Sequence, residues 1–317
     1  MQRTIKKHLA AYLAIFAIAA APFTAFAQTR IERPKNKYKV ADDVKLGDDN
    51  ARKIEQQFPI LNDREATRYV SQVGERLVAA IPQQFREPAF DYRFEIVNAS
   101  DINAFALPGG PMFVNRGMNE EAKNEGEMEG VMAHEISHVA LRHATAQATK
   151  QGSIGNQLGV IGLILGGAIL GGEAGAQLGA LGATAWMTQA DTLGAQIMAQ
   201  AGYDPRDLAN MFRTIQAQSK GGAPEWLSSH PDPGNRYEKI MREAEMLNVN
   251  PRPSNEREFR RVQERLRALP PARTMAEIEK GAQGGAGANP TAGGVYSSRV
   301  PYPSRTSRRY SGLAEVS

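Results

Sequence analysis

The chain has 317 residues, with 38 Lys and Arg against 34 Asp and Glu, a formal charge of +4, and no cysteine. Without thiols it can build neither a disulfide framework nor a cysteine zinc site, and it cannot be a lipoprotein attached through cysteine. Its stability must come from a core, which its length amply allows in one to two domains, and from whatever metal other ligands hold.

Residues 1–27 have a basic start (Arg3, Lys6, Lys7), an apolar run over 9–21, and the small-residue ending Ala25-Phe26-Ala27 before Gln28. That is the pattern of a secretory signal peptide. A retained anchor is the rival reading, but the apolar run is short for a bilayer and a cleavage signal follows it directly, so export is the expectation. Removing the leader takes away three positive charges and no negative ones, and +4 falls to +1. The basic balance is then no evidence for a nucleic-acid partner.

Residues 28–47 are polar, contain Pro34 and lack an apolar period, which predicts an extended arm. Asp63 is placed to cap a helix over 66–80, with Tyr69, Val70, Val73 and Leu77 on one face. Residues 90–97 alternate apolar and polar as a strand with one buried face does. A second extended piece over 103–107 turns through Pro108-Gly109-Gly110 and returns over 111–114, predicting a small antiparallel sheet. Its edge at Asn103, Ala104, Phe105 and Ala106 either receives a substrate peptide main chain to main chain or merely supports the next helix. Asn119 is the expected cap of that helix. The acidic run Glu120, Glu121, Glu125, Glu127, Glu129 reads as a solvated helix start, and Gly126 and Gly130 as breaks.

Residues 131–143 hold His134-Glu135-Ile136-Ser137-His138, an HExxH motif. Histidines four apart on a helix project from one face and can grip one metal ion, and the intervening Glu135 can take a proton from a water that zinc has acidified. Of the five histidines, only His8 lies in the leader; the others are His134, His138, His143 and His230.

Residues 154–172 are almost wholly Ile, Leu, Val, Ala and Gly, with glycines spaced for close helix contact. A glycine-rich helical hairpin packed on the protein, with a membrane-surface contact open to it, is preferred to a membrane-dipping segment. A helix is predicted over 186–201, ended by Gly202, and another from Asp204-Pro205. His230 falls on a loop before a helix signalled by Asp232-Pro233, with Arg236 one turn inside it. A last helix over 254–269 stops at Pro270-Pro271. The remainder, rich in Gly, Ala, Ser, Pro and Arg, reads as a disordered basic tail from 271 onward.

Taken together, Asn103-Ala104-Phe105-Ala106 with Pro108-Gly109-Gly110, the HExxH motif through Arg142-His143, Ala190-Asp191 with Leu193-Gly194-Ala195-Gln196, Ala201-Gly202-Tyr203-Asp204-Pro205, and His230-Pro231 with Arg236 stand in one familiar order. Over about residues 45–250 the chain resembles the HtpX and CAAX-prenyl-protease type of zinc metallopeptidase, in its exported, periplasmic BepA-like branch. No tetratricopeptide-like repeat follows, so the helical C-terminal module of that branch is not expected. The resemblance implies an α+β, mostly helical zincin-like domain over 48–270. It implies zinc on His134 and His138, Glu135 as general base, Asp191 orienting a ligand, 103–106 as the strand that receives substrate, and His230 and Arg236 near the oxyanion.

One position departs from the pattern. The family's third ligand is a Glu four residues before the Asp, and here that position is Met187, preceded by Ala183-Thr184 in place of Ser-Arg. A thioether suits such a site poorly. Either Asp191 moves inward as ligand, or His143 helps, or activity is weakened or lost. The expected function is an exported zinc metalloendopeptidase acting on unfolded or misassembled envelope proteins; the alternative is a catalytically inactive relative that binds peptides as a chaperone.

Overall fold

The computed structural model describes residues 28–150, 183–218, 230, 235–249 and 255–284. The leader, residues 154–182 of the apolar stretch and the chain beyond 284 lie outside the described residues. Among the described residues no helix is long and apolar enough to cross a membrane.

The chain first runs without regular structure to Lys39 and then forms α1 (Val40–Gln57). The arm is therefore shorter than expected, because Leu46, Ala51 and Ile54 supply an apolar face spread too thinly among charges to stand out in the sequence. α2 (Arg64–Ala79) begins as predicted: Asp63 accepts hydrogen bonds from the backbone N–H groups of Glu65 and Ala66, both at 3.1 Å. Its buried face carries Tyr69, Val70, Val73 and Leu77.

Three strands follow, β1 (Arg93–Val97), β2 (Ala104–Ala106) and β3 (Pro111–Asn115), in the order β1-β3-β2. β2 pairs antiparallel with β3, Phe105 opposite Phe113, but β1 pairs parallel with it, Glu95 opposite Phe113. The expected antiparallel sheet is thus mixed, since the connection after β1 leads to the far edge before β3 returns between the two. Phe94, Ile96, Ala104, Met112 and Val114 face the main core, while Val97, Phe105 and Phe113 face a second one.

α3 (Arg116–Glu121) is short, and α4 (Glu125–Ala140) carries the HExxH motif. The cap of α4 is Asn124, whose side chain accepts from Glu127 N at 2.8 Å; Asn119 lies buried inside α3 instead. α5 (His143–Lys150), α6 (Ala183–Ala201), α7 (Arg206–Gln218), α8 (Arg236–Met246), α9 (Glu256–Arg267) and α10 (Met275–Gly284) complete the described elements. Arg236 is the first residue of α8 rather than a turn inside it. α10 packs Met275 and Ile278 into the second core, so order extends past 271, where the tail was expected to begin.

α4 is central: α6, α7, α2 and β2 all pack on it, and it is buried on every side. Gly126 and Gly130 do not break it. A Cβ on Gly130 would come 2.6 Å from Leu208 Cα, so the glycine lets α7 approach closely. Of the acidic run Glu121 is exposed, but Glu125, Glu127 and Glu129 are buried rather than solvated. Glu125 accepts from the Tyr69 hydroxyl at 2.7 Å and from Asn255 N at 3.1 Å, and Glu127 from Thr214 at 3.0 Å. Glu129 is buried against Tyr203, and burial, with Glu125 adding its charge, pushes its carboxyl up to about 9.

Candidate metal centre

α4 projects His134 and His138 from one face, and their Nε2 atoms lie 3.0 Å apart. The His230 ring stands 5.1 Å from that of His134 and 5.7 Å from that of His138, centroid to centroid. One donor atom from each of His134, His138 and His230 falls within 4.8 Å of the others, the one such group of His, Cys, Asp and Glu found among the described residues. Glu135 is beside them, its Oε1 3.1 Å from His230 Nε2.

Behind this front row sits a second set of contacts. His134 Nδ1 meets Asp191 Oδ1 at 2.8 Å. Asp191 in turn accepts from Arg236, Nε to Oδ2 at 2.9 Å and Nη2 to Oδ1 at 2.7 Å, while Arg236 Nη1 donates to the His230 carbonyl at 2.9 Å. One guanidinium thus ties a residue of α6 to the backbone of His230. His138 Nδ1 lies 2.9 Å from His143 Nδ1, and His143 stacks on Trp186.

Burial lowers the pKa of His134 and pushes that of His138 well below its usual value, the neighbouring imidazoles adding to the effect; His143 falls to about 3 for the same reason. All three are neutral near pH 7, the form that binds a metal. Burial works to raise the Asp191 carboxyl, but the Arg236 charge and the His134 hydrogen bond outweigh it and hold it down at about 2. An ionised Asp191 can only accept, so His134 carries its proton on Nδ1 and turns a bare Nε2 toward His138.

The fit to a metal follows from this donor set. Metal–nitrogen bonds of about 2.0–2.1 Å in tetrahedral array put neighbouring nitrogens roughly 3.3–3.4 Å apart, close to the 3.0 Å observed here. Of the predicted residues, His134, Glu135, His138, His230, Asp191 and Arg236 all come together. Asp191 and His143, the two substitutes considered for a missing ligand, stand behind His134 and His138, and the third nitrogen comes from His230. Met187 is buried on α6. The strand at 103–106 is an edge of the sheet and packs against α4, but Asn103, Ala104, Phe105 and Ala106 are all buried rather than exposed. Sequence reasoning missed Gln189, which meets His143; a lone glutamine on a helix gives no signal.

The sequence pattern of peptidase family M48 matches residues 64–244. The chain is similar to a β-barrel assembly-enhancing protease of Yersinia pestis, 32% identical over 231 residues, covering 68% of this chain and 47% of that one. It is 28% identical over 267 residues to the protein of the same name in Escherichia coli K12, covering 78% and 54%. The chain spans about half the length of these relatives.

Proposed function

Since the chain belongs to peptidase family M48, we propose that it is a periplasmic zinc metalloendopeptidase that cleaves unfolded or misassembled envelope polypeptides. The observation that carries this reading is the three-imidazole cluster with Glu135 beside it. His134, His138 and His230 would hold the zinc, His230 supplying the donor that Met187 cannot. When bound, zinc supplies the Lewis acidity that makes water acidic near neutrality and polarises a peptide carbonyl. Glu135 takes the proton of the attacking water and returns it to the leaving amine. Asp191 orients His134, and Arg236 fixes Asp191 and the His230 backbone by the contacts above, which makes it a positioning residue rather than an oxyanion donor. The name of the relatives concerns β-barrel assembly, which supports an envelope substrate. Surface contact with a membrane through residues 154–172 belongs to the same reading.

Zinc content and cleavage of casein test it. The expectation is about one zinc per chain in the wild type, lost in His134→Ala and reduced in His230→Ala, with Glu135→Gln keeping zinc and losing cleavage. Met187 favours the second reading, a peptide-binding chaperone without activity. That reading wins if casein survives equally with wild type and Glu135→Gln, and a large gain of cleavage in Met187→Glu would locate the defect at that position.

A further inference from the structure

Gln189 on α6 bridges two groups. Its Nε2 donates to the Glu32 carbonyl of the N-terminal arm at 3.2 Å, and its Oε1 faces His143 Nε2 at 3.3 Å. A backbone carbonyl only accepts, so Gln189 must turn its NH₂ to Glu32 and its oxygen to His143. His143 then carries its proton on Nε2 and presents a bare Nδ1 to His138 Nδ1, 2.9 Å away. His138 in turn must be protonated on Nδ1, which leaves its Nε2 bare. The opposite proton arrangement would point the Gln189 oxygen at the Glu32 carbonyl, oxygen against oxygen.

We infer that Gln189 and His143 are positioning residues that fix the tautomer of His138, and that the arm sets their direction through the Glu32 carbonyl. The result is two unprotonated Nε2 atoms, on His134 and His138, facing each other 3.0 Å apart with no hydrogen between them. Such a pair repels unless a cation joins it. The relay thus holds the site in the one proton arrangement that accepts a metal without first losing a ring proton, a consequence that rests on the zinc reading above. The arm is well placed for this, since Arg33 also donates to the Ala140 carbonyl at the end of α4 and Asn36 to Thr145 on α5.

Long-range ¹H–¹⁵N correlation spectra of the imidazoles in metal-free protein test the relay directly. The expected wild-type pattern is protonated Nδ1 on His138 and protonated Nε2 on His143. Gln189→Leu should mix the tautomers of both rings, and Gln189→Glu, which can only accept, should keep His143 protonated on Nε2 while losing the hydrogen bond to the Glu32 carbonyl. Zinc competition titrations should show His143→Phe, which keeps a ring for Trp186, binding about 10–100-fold more weakly, with Gln189→Leu weakened as well. A wild-type His138 protonated on Nε2, or tautomers unchanged in Gln189→Leu, overturns the inference. If the wild type takes up no zinc, the peptidase reading falls, and the spectra still decide the relay.

Discussion

Gly130 of α4 and Leu208 of α7 meet backbone to backbone: a Cβ on the glycine would lie 2.6 Å from Leu208 Cα and 2.9 Å from its nitrogen. In an exposed helix Gly→Ala stabilises by up to about 1 kcal/mol. At this crossing the overlap is with main chain that cannot turn aside, so Gly130→Ala should cost about 1–3 kcal/mol. Thermal unfolding measures it, and an unchanged or raised Tm would show that α7 yields.

Glu129 gives the fold a pH dependence. Its carboxyl titrates near 9 when folded against an ordinary value of 4.5, so the native state binds a proton that the unfolded state releases. The stability from this group is fully present below pH 4.5 and is lost progressively as pH rises toward 9. Glu129→Gln should therefore flatten the fall of Tm between pH 5 and 9. If wild type and variant keep parallel profiles, Glu129 is ionised in the folded protein.

Arg236 neutralises Asp191, and both are buried. Arg236→Met leaves a buried carboxylate without its cation and should cost about 3–5 kcal/mol in urea unfolding. The double variant Asp191→Asn with Arg236→Met should recover part of that loss. Additive losses instead would mean that Arg236 acts mainly through the His230 carbonyl.

Arg142 follows α4 with φ of 58°, the left-handed region where a side chain is strained. It is kept there by contacts with the arm and α1, donating to Asp43 at 2.8 Å and to the Tyr38 carbonyl at 2.7 Å. Both Arg142→Ala and Arg142→Gly lose these bonds, but only glycine sheds the strain. Arg142→Gly should be the more stable of the two by about 1 kcal/mol in urea unfolding; equality would show that the backbone relaxes out of that region.

How legible each feature was in the sequence followed from how local it is. Asp63 as a cap, the stripe of Tyr69, Val70, Val73 and Leu77, and the facing of His134 and His138 all depend on spacing within a turn or two of helix, and the sequence alone determined them. It misled where burial, not residue type, decides. Glu125, Glu127 and Glu129 read as a wet face yet are buried against Tyr69, Thr214 and Tyr203, and Gly130 read as a break yet is a helix contact. What only the tertiary structure decided was the company of the two imidazoles. His230 comes from far along the chain, Arg236 ties its backbone to Asp191, and the arm reaches His138 through Gln189 and His143. Those contacts join elements distant in sequence, and no local pattern encodes which side chains the packing of α4 against α6 will bring within hydrogen-bonding reach.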